Sequence, residues 1–81
     1  MAADKLEKAF SKALKEIREE KGLSQNDVVK ASGTLLDRNT FQRYDAGRGT
    51  PKMKNLFIIA ETLGISPGEI VNRAYKHYKE D

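Results

Sequence analysis

The sequence predicts an all-α fold of five short helices, and three observations carry that prediction. Apolar residues recur at helical spacing from Leu6 to Tyr78, with no stretch of strand-like alternation. Helix start and stop signals divide the chain at regular intervals: Ser24, Asp37, Thr50 and Ser66 as caps, Gly22, Gly33, Gly47 and Gly64 as stops. The 81 residues contain no Cys, no repeat and no low-complexity run, so one small domain, expected over residues 4–79, must be held by a thin apolar core.

Residues 1–3 are expected to fray. From Asp4 to Lys21 the apolar positions are Leu6, Phe10, Ala13, Leu14 and Ile17, a single helical stripe. Lys12–Glu16 and Lys15–Glu19 stand one turn apart on the polar side, and Lys21-Gly22 ends this first helix as a basic last turn and a C′ glycine should. Ser24 caps the second helix, with Asp27 completing a capping box. Val28, Val29 and Ala31 are assigned to its inner side, and it fails near Ser32-Gly33. Thr50 and Pro51 are assigned to the start of the fourth helix, whose apolar side is Met53, Leu56, Phe57, Ile59, Ala60 and Leu63. Ser66, Pro67 and Glu69 open the fifth, which continues through Ile70, Val71, Ala74, Tyr75 and Tyr78 to about Lys79.

The third helix is the one with two chemistries. Asp37 is a good N-cap, and Leu36 with Phe41 makes a hydrophobic staple. At about 100° per residue, Gln42, Asn39 and Arg43 fall near 40°, 100° and 140° from Arg38, while Phe41 and Tyr44 lie on the far side. One face therefore anchors to a core. The other carries the side chains best shaped to read base edges in a DNA major groove: Arg pairs bidentately with guanine, Asn or Gln with adenine.

The formal charge of +3 is modest, but its distribution supports the same reading. Residues 23–57 carry six basic and three acidic groups, against six and five in 1–22 and three and four in 58–81. The excess sits on the segment that holds the third helix, as a phosphate-binding surface would require. By charge count alone, ordinary solvated charge explains it as well.

Other classes find less support. No apolar run approaches the ~20 residues of a membrane span, and the charged N-terminus does not read as a secretion signal. The absence of Cys suits a reducing cytoplasm. There is no nucleophile–base arrangement and no glycine-rich phosphate loop, so neither an enzyme nor a cofactor is expected. His77, the sole histidine, has no second imidazole or thiol with which to bind a metal. It is assigned, with Arg73, Lys76 and Lys79, to a solvated face.

Gly22-Leu23-Ser24-Gln25, Val28-Val29, Gly33, Arg43-Tyr44-Asp45-Ala46-Gly47-Arg48, Pro51, Leu56, Ile59 to Ser66 and Glu69-Ile70, in that order, resemble the lambda-repressor/Cro-like helix-turn-helix family over about residues 6–72. The resemblance implies a five-helix DNA-binding domain, with the helix-turn-helix at about residues 24–46, in which the third helix enters the major groove. It puts Arg38, Asn39, Gln42 and Arg43 against bases, with Arg43 divided between base and phosphate. It puts Gln25 on phosphate and against the recognition helix, and Arg48, Thr50, Lys52, Lys54 and Asn55 on the DNA backbone. For Lys54 and Asn55 a merely solvated role fits equally.

The family also implies a homodimer on a palindromic operator, pairing through Ile70, Val71, Ala74, Tyr75 and Tyr78; the other reading of that stripe is that it finishes the core. The expected function is sequence-specific double-stranded DNA binding by a transcription regulator, a repressor by preference. The alternative is a protein-interaction module of the same fold, for example an antitoxin binding a toxin partner. Two departures stand out. From Gln25 to Gly47 the chain is about two residues longer than the family pattern, so the third helix starts either at Asp37, as the staple favours, or with Thr34 as its cap. Asp45 and Ala46 stand where the family commonly has Glu and a polar or basic residue.

Overall fold

A computed structural model describes residues 4–80; residues 1–3, expected to fray, lie outside the described residues. Five helices follow in order: α1 Lys5–Glu20, α2 Gln25–Ala31, α3 Arg38–Asp45, α4 Met53–Leu63 and α5 Pro67–Glu80. There are no strands among the described residues. α1 and α5 lie along one another, α3 packs on α1 and α2, and α4 bridges α2 and α5.

The core is built from Leu14 and Ile17 of α1, Val28 of α2, Leu36 of the following turn, Phe41 and Tyr44 of α3, Leu56, Ile59, Ala60 and Leu63 of α4, and Ile70 of α5. Where α1 meets α5 the buried residues are Ala9, Ala13 and Ala74, with Phe10 against them. Small side chains there let two helix backbones approach closely. Leu6, expected in the α1 stripe, is largely exposed, because Ala9 and Ser11 take the buried positions instead.

Local signals place most helix ends. Asp4 caps α1 with a reciprocal box to Glu7, and Ser24 does the same for α2 with Asp27. Ser66 Oγ accepts the Glu69 N–H at 3.2 Å, while the Glu69 carboxylate turns to Arg73. The α4 start differs from expectation. The backbone stays extended through Lys52, α4 begins at Met53, and neither Thr50 nor Pro51 opens it. Met53 and Phe57 are also outside the core, and Ala31 is exposed.

The α2–α3 turn resolves the two proposed starts of α3. Asp37 is the cap, and its carboxylate accepts the Thr40 N–H at 3.0 Å. Leu36 and Phe41 are both buried, as the staple requires. Thr34 caps nothing; it sits at φ 74°, next to Gly33 at φ 62°. Two successive left-handed residues reverse the chain, and Ser32 holds the result. Its hydroxyl donates to Val29 C=O at 2.6 Å and accepts from Leu36 N–H at 3.2 Å.

The α5 stripe divides. Ile70 and Ala74 are buried in the chain's own core. Val71, Tyr75 and Tyr78 remain exposed and, with Leu6, Phe10 and Ala74, line an apolar groove of about 170 Å³. The opposite flank of α5 is paired to α1, so Arg73 and His77 are not simply solvated. Arg73 reaches Glu20 at 2.6 and 2.8 Å and Glu69 at 3.3 Å; His77 Nε2 meets Glu16 at 2.7 Å. Lys76 and Lys79 are exposed as expected, with the Lys79 ammonium over the Tyr75 ring.

Candidate nucleic-acid interface

α3 owes its two faces to its caps and its anchor. Asp37 sets the entry angle, and Phe41 and Tyr44 point into the core. At the other end Gly47 adopts φ 77°, a conformation that favours glycine. That lets Gly47 N–H reach Tyr44 C=O and Arg48 N–H reach Arg43 C=O at 2.8 Å, satisfying the last carbonyls in a Schellman motif. Gly47 also comes close to Ser11 of α1; a Cβ on it would lie 3.6 Å from Ser11 Cβ.

Asp45, only 1% exposed, locks this end of the helix. Its carboxylate accepts from Arg18 Nε at 3.2 Å and Nη2 at 3.0 Å, and from Gln25 Nε2 at 2.8 Å. Its carbonyl accepts the Ser11 hydroxyl. Arg18 also donates to Leu23 C=O at 3.1 Å. Helices α1, α2 and α3 thus converge on one buried carboxylate. Asp45 therefore has a structural role at this end of α3, and through it Gln25 is bonded to the third helix. The sequence alone does not single out Arg18. The signal was present, since Arg18 follows Ile17 at the inner edge of the α1 stripe, but a lone Arg on a mixed-charge helix does not announce its partner.

With the inner face and both ends held, Arg38, Asn39, Gln42 and Arg43 are all exposed. Gln25, Asn39, Gln42, Arg43 and Arg48, with Ala46, line a shared open groove of about 420 Å³. Arg38 lies one turn away, at the N-terminal tip. Lys52 and Lys54 are exposed and Thr50 is half-buried on the following segment. Asn55, also expected on the DNA backbone, is half-buried, and its amide donates to Tyr44 Oη at 2.8 Å.

Among the described residues no group of three or more His, Asp or Glu side chains could hold a metal ion, and no helix is long and apolar enough to cross a membrane. What the surface offers is two guanidinium groups and two carboxamides on a rigid helix, edged by further cations. That is a chemistry of hydrogen-bonded polyanion recognition.

Fold and surface together define a helix-turn-helix protein, and a helix-turn-helix family model matches residues 14–70. The chain belongs to that family, of the lambda-repressor/Cro-like type. Among curated proteins it is similar to the cryptic phage CTXphi transcriptional repressor RstR of Vibrio cholerae, 30% identical over 63 residues. That match covers 78% of this chain and 55% of the relative, so the chain spans little more than half of that protein's length. Among solved structures it is similar to the clp gene regulator ClgR from Corynebacterium glutamicum, with a TM-score of 0.80. The superposition covers 93% of this chain and 78% of that one, and at 21% identity it speaks for the fold.

Proposed function

We propose that residues 4–79 form one DNA-binding unit that recognises a specific double-stranded sequence and regulates transcription, as a repressor. The observation that carries this reading is the polar arc of α3. Arg38, Asn39, Gln42 and Arg43 are exposed together on a helix whose other face is sunk in the core through Phe41 and Tyr44. A helix anchored in this way is narrow enough to enter a major groove with its side chains already oriented.

In this reading Arg38, Asn39 and Gln42 contact base edges, and Arg43 divides between base and phosphate. Gln25, Arg48, Thr50, Lys52 and Lys54 hold the DNA backbone and make binding salt-dependent. The repressor relative in Vibrio cholerae favours the sign of regulation. A homodimer on a palindromic operator fits the exposed Val71, Tyr75 and Tyr78, since two-fold pairing sets two recognition helices about one DNA turn apart. The site of action would be the cytoplasm, where the operator is accessible.

The test is a mobility shift with random duplex at low salt, followed by selection of bound sequences from a random pool. Binding that weakens with salt, and a selected motif whose affinity collapses in Arg38→Ala plus Arg43→Ala, is the expected result. No binding to any duplex, or no loss in the double variant, would overturn the reading.

A further inference from the structure

Tyr44 differs from its neighbour Phe41 by what its hydroxyl does. Both rings fill the core from the inner face of α3, but the Tyr44 hydroxyl emerges toward α4 and accepts the Asn55 Nδ2 hydrogen at 2.8 Å. The loop between α3 and α4 runs from one partner to the other. Midway along it, Gly49 passes the ring, and a Cβ there would lie 3.9–4.0 Å from Tyr44 Cδ1 and Cε1. One side chain thus supports the loop twice, by its ring under Gly49 and by its hydroxyl at the start of α4. The extended backbone through Lys52 is the path that satisfies both contacts.

Arg48 and Thr50 flank Gly49 directly, and Lys52 follows. We propose that Tyr44 and Asn55 are positioning residues, a post and latch that hold the Arg48–Lys52 segment in the pose that meets the DNA backbone, and that Asn55 acts through Tyr44 and not on phosphate itself. The inference rests on the DNA-binding reading. Its physical ground is preorganisation. A loop of long cationic side chains that is ordered only on binding loses conformational entropy at that moment, and a loop already pinned does not. Because backbone contacts carry no sequence information, the latch raises affinity for every duplex alike.

The experiment compares Tyr44→Phe, Asn55→Ala and the double variant of the full chain. It measures binding to the selected operator and to random duplex, together with amide exchange in the unbound protein. Each single variant is expected to weaken both complexes by the same factor, about 3- to 10-fold, the worth of one lost hydrogen bond. The operator-to-random ratio stays constant, and the double variant is no weaker than the worse single. Amide exchange speeds up at Arg48, whose N–H bonds Arg43 C=O, and at Leu56, whose N–H bonds Lys52 C=O, while α1 and α5 keep their protection, which a general loss of stability would not do. Additive losses in the double variant, or unchanged loop exchange in both singles, overturn the proposal. If the wild-type chain binds no duplex, the DNA reading falls, and the exchange comparison by itself decides whether the latch exists.

Discussion

Arg18 and Asp45 close a two-pronged ion pair between the inner edge of α1 and the last residue of α3, Nε to Oδ1 at 3.2 Å and Nη2 to Oδ2 at 3.0 Å. Twenty-seven positions separate them in the chain. The pair decides how α3 is held, because the same carboxylate also receives Gln25 from α2. Asp45→Ala leaves Arg18 and Gln25 without their acceptor in a largely buried setting. The expected loss is about 3 kcal/mol, the usual cost of breaking one side of a buried pair, read as a lower urea midpoint with an unchanged slope. The joint replacement Arg18→Met with Asp45→Leu should be more stable than the Asp45→Ala single variant.

The turn before α3 makes a second prediction. Ser32→Ala removes the acceptor of the buried Leu36 N–H and should cost about 1–2 kcal/mol in chemical denaturation. Thr34 is a β-branched residue at φ 74°, a conformation in which its Cβ crowds the backbone. Thr34→Gly should therefore stabilise the protein, by up to about 1 kcal/mol after the entropic cost of glycine. A loss of stability in Thr34→Gly would mean that the left-handed turn is not present.

Base and phosphate roles separate by two measurements. Arg38→Ala should cost about 1–3 kcal/mol on the selected operator and relax preference at one base position. Arg48→Ala and Lys52→Ala should weaken operator and random duplex alike, each lowering the slope of log affinity against log salt by about 0.9. A specificity change at Arg48 would reverse these assignments.

Acid stability follows from two carboxylates. The Arg73 guanidinium, bonded to Glu20, holds that carboxyl below its ordinary range, and the Ser24 backbone and hydroxyl do the same for Asp27. Arg73 in turn is held more firmly charged by Glu20. A depressed carboxylate contributes stability that is complete above its unfolded value and is lost as pH falls through the lower, folded one. Stability should therefore decline as pH drops from about 4.5, the ordinary glutamate value, and further below it. Glu20→Gln and Asp27→Asn should each flatten that decline in pH-dependent thermal melts, by lowering stability in the neutral region toward the acid value while leaving the acid end little changed.

Pairing through α5 is tested by sedimentation. Val71, Tyr75 and Tyr78 are the residues left for it, because Ile70 and Ala74 are occupied within the chain. Tyr75→Ala with Tyr78→Ala should convert a dimer to a folded monomer and weaken operator binding more than random binding. A wild-type monomer at high concentration would remove the dimer.

The sequence by itself determined the five helices and most of their ends, because caps and helical periods are local: Ser24 with Asp27 and Asp37 with Thr40 bond within four residues. It also determined which face of α3 is polar, since the wheel needs only eight consecutive side chains. Tertiary structure decided what that face is fastened to. Arg18, Gln25 and Asp45 meet across three helices, Asn55 reaches Tyr44 across a loop, and Arg73 reaches Glu20 across the molecule. The start of α4 and the exposure of Met53 and Phe57 belong to the same class, because an apolar side chain does not say which neighbour will cover it. Local bonding is written in spacing along the chain. Long-range partners depend on how helices are set against one another, and that is settled only when all five close on a shared core.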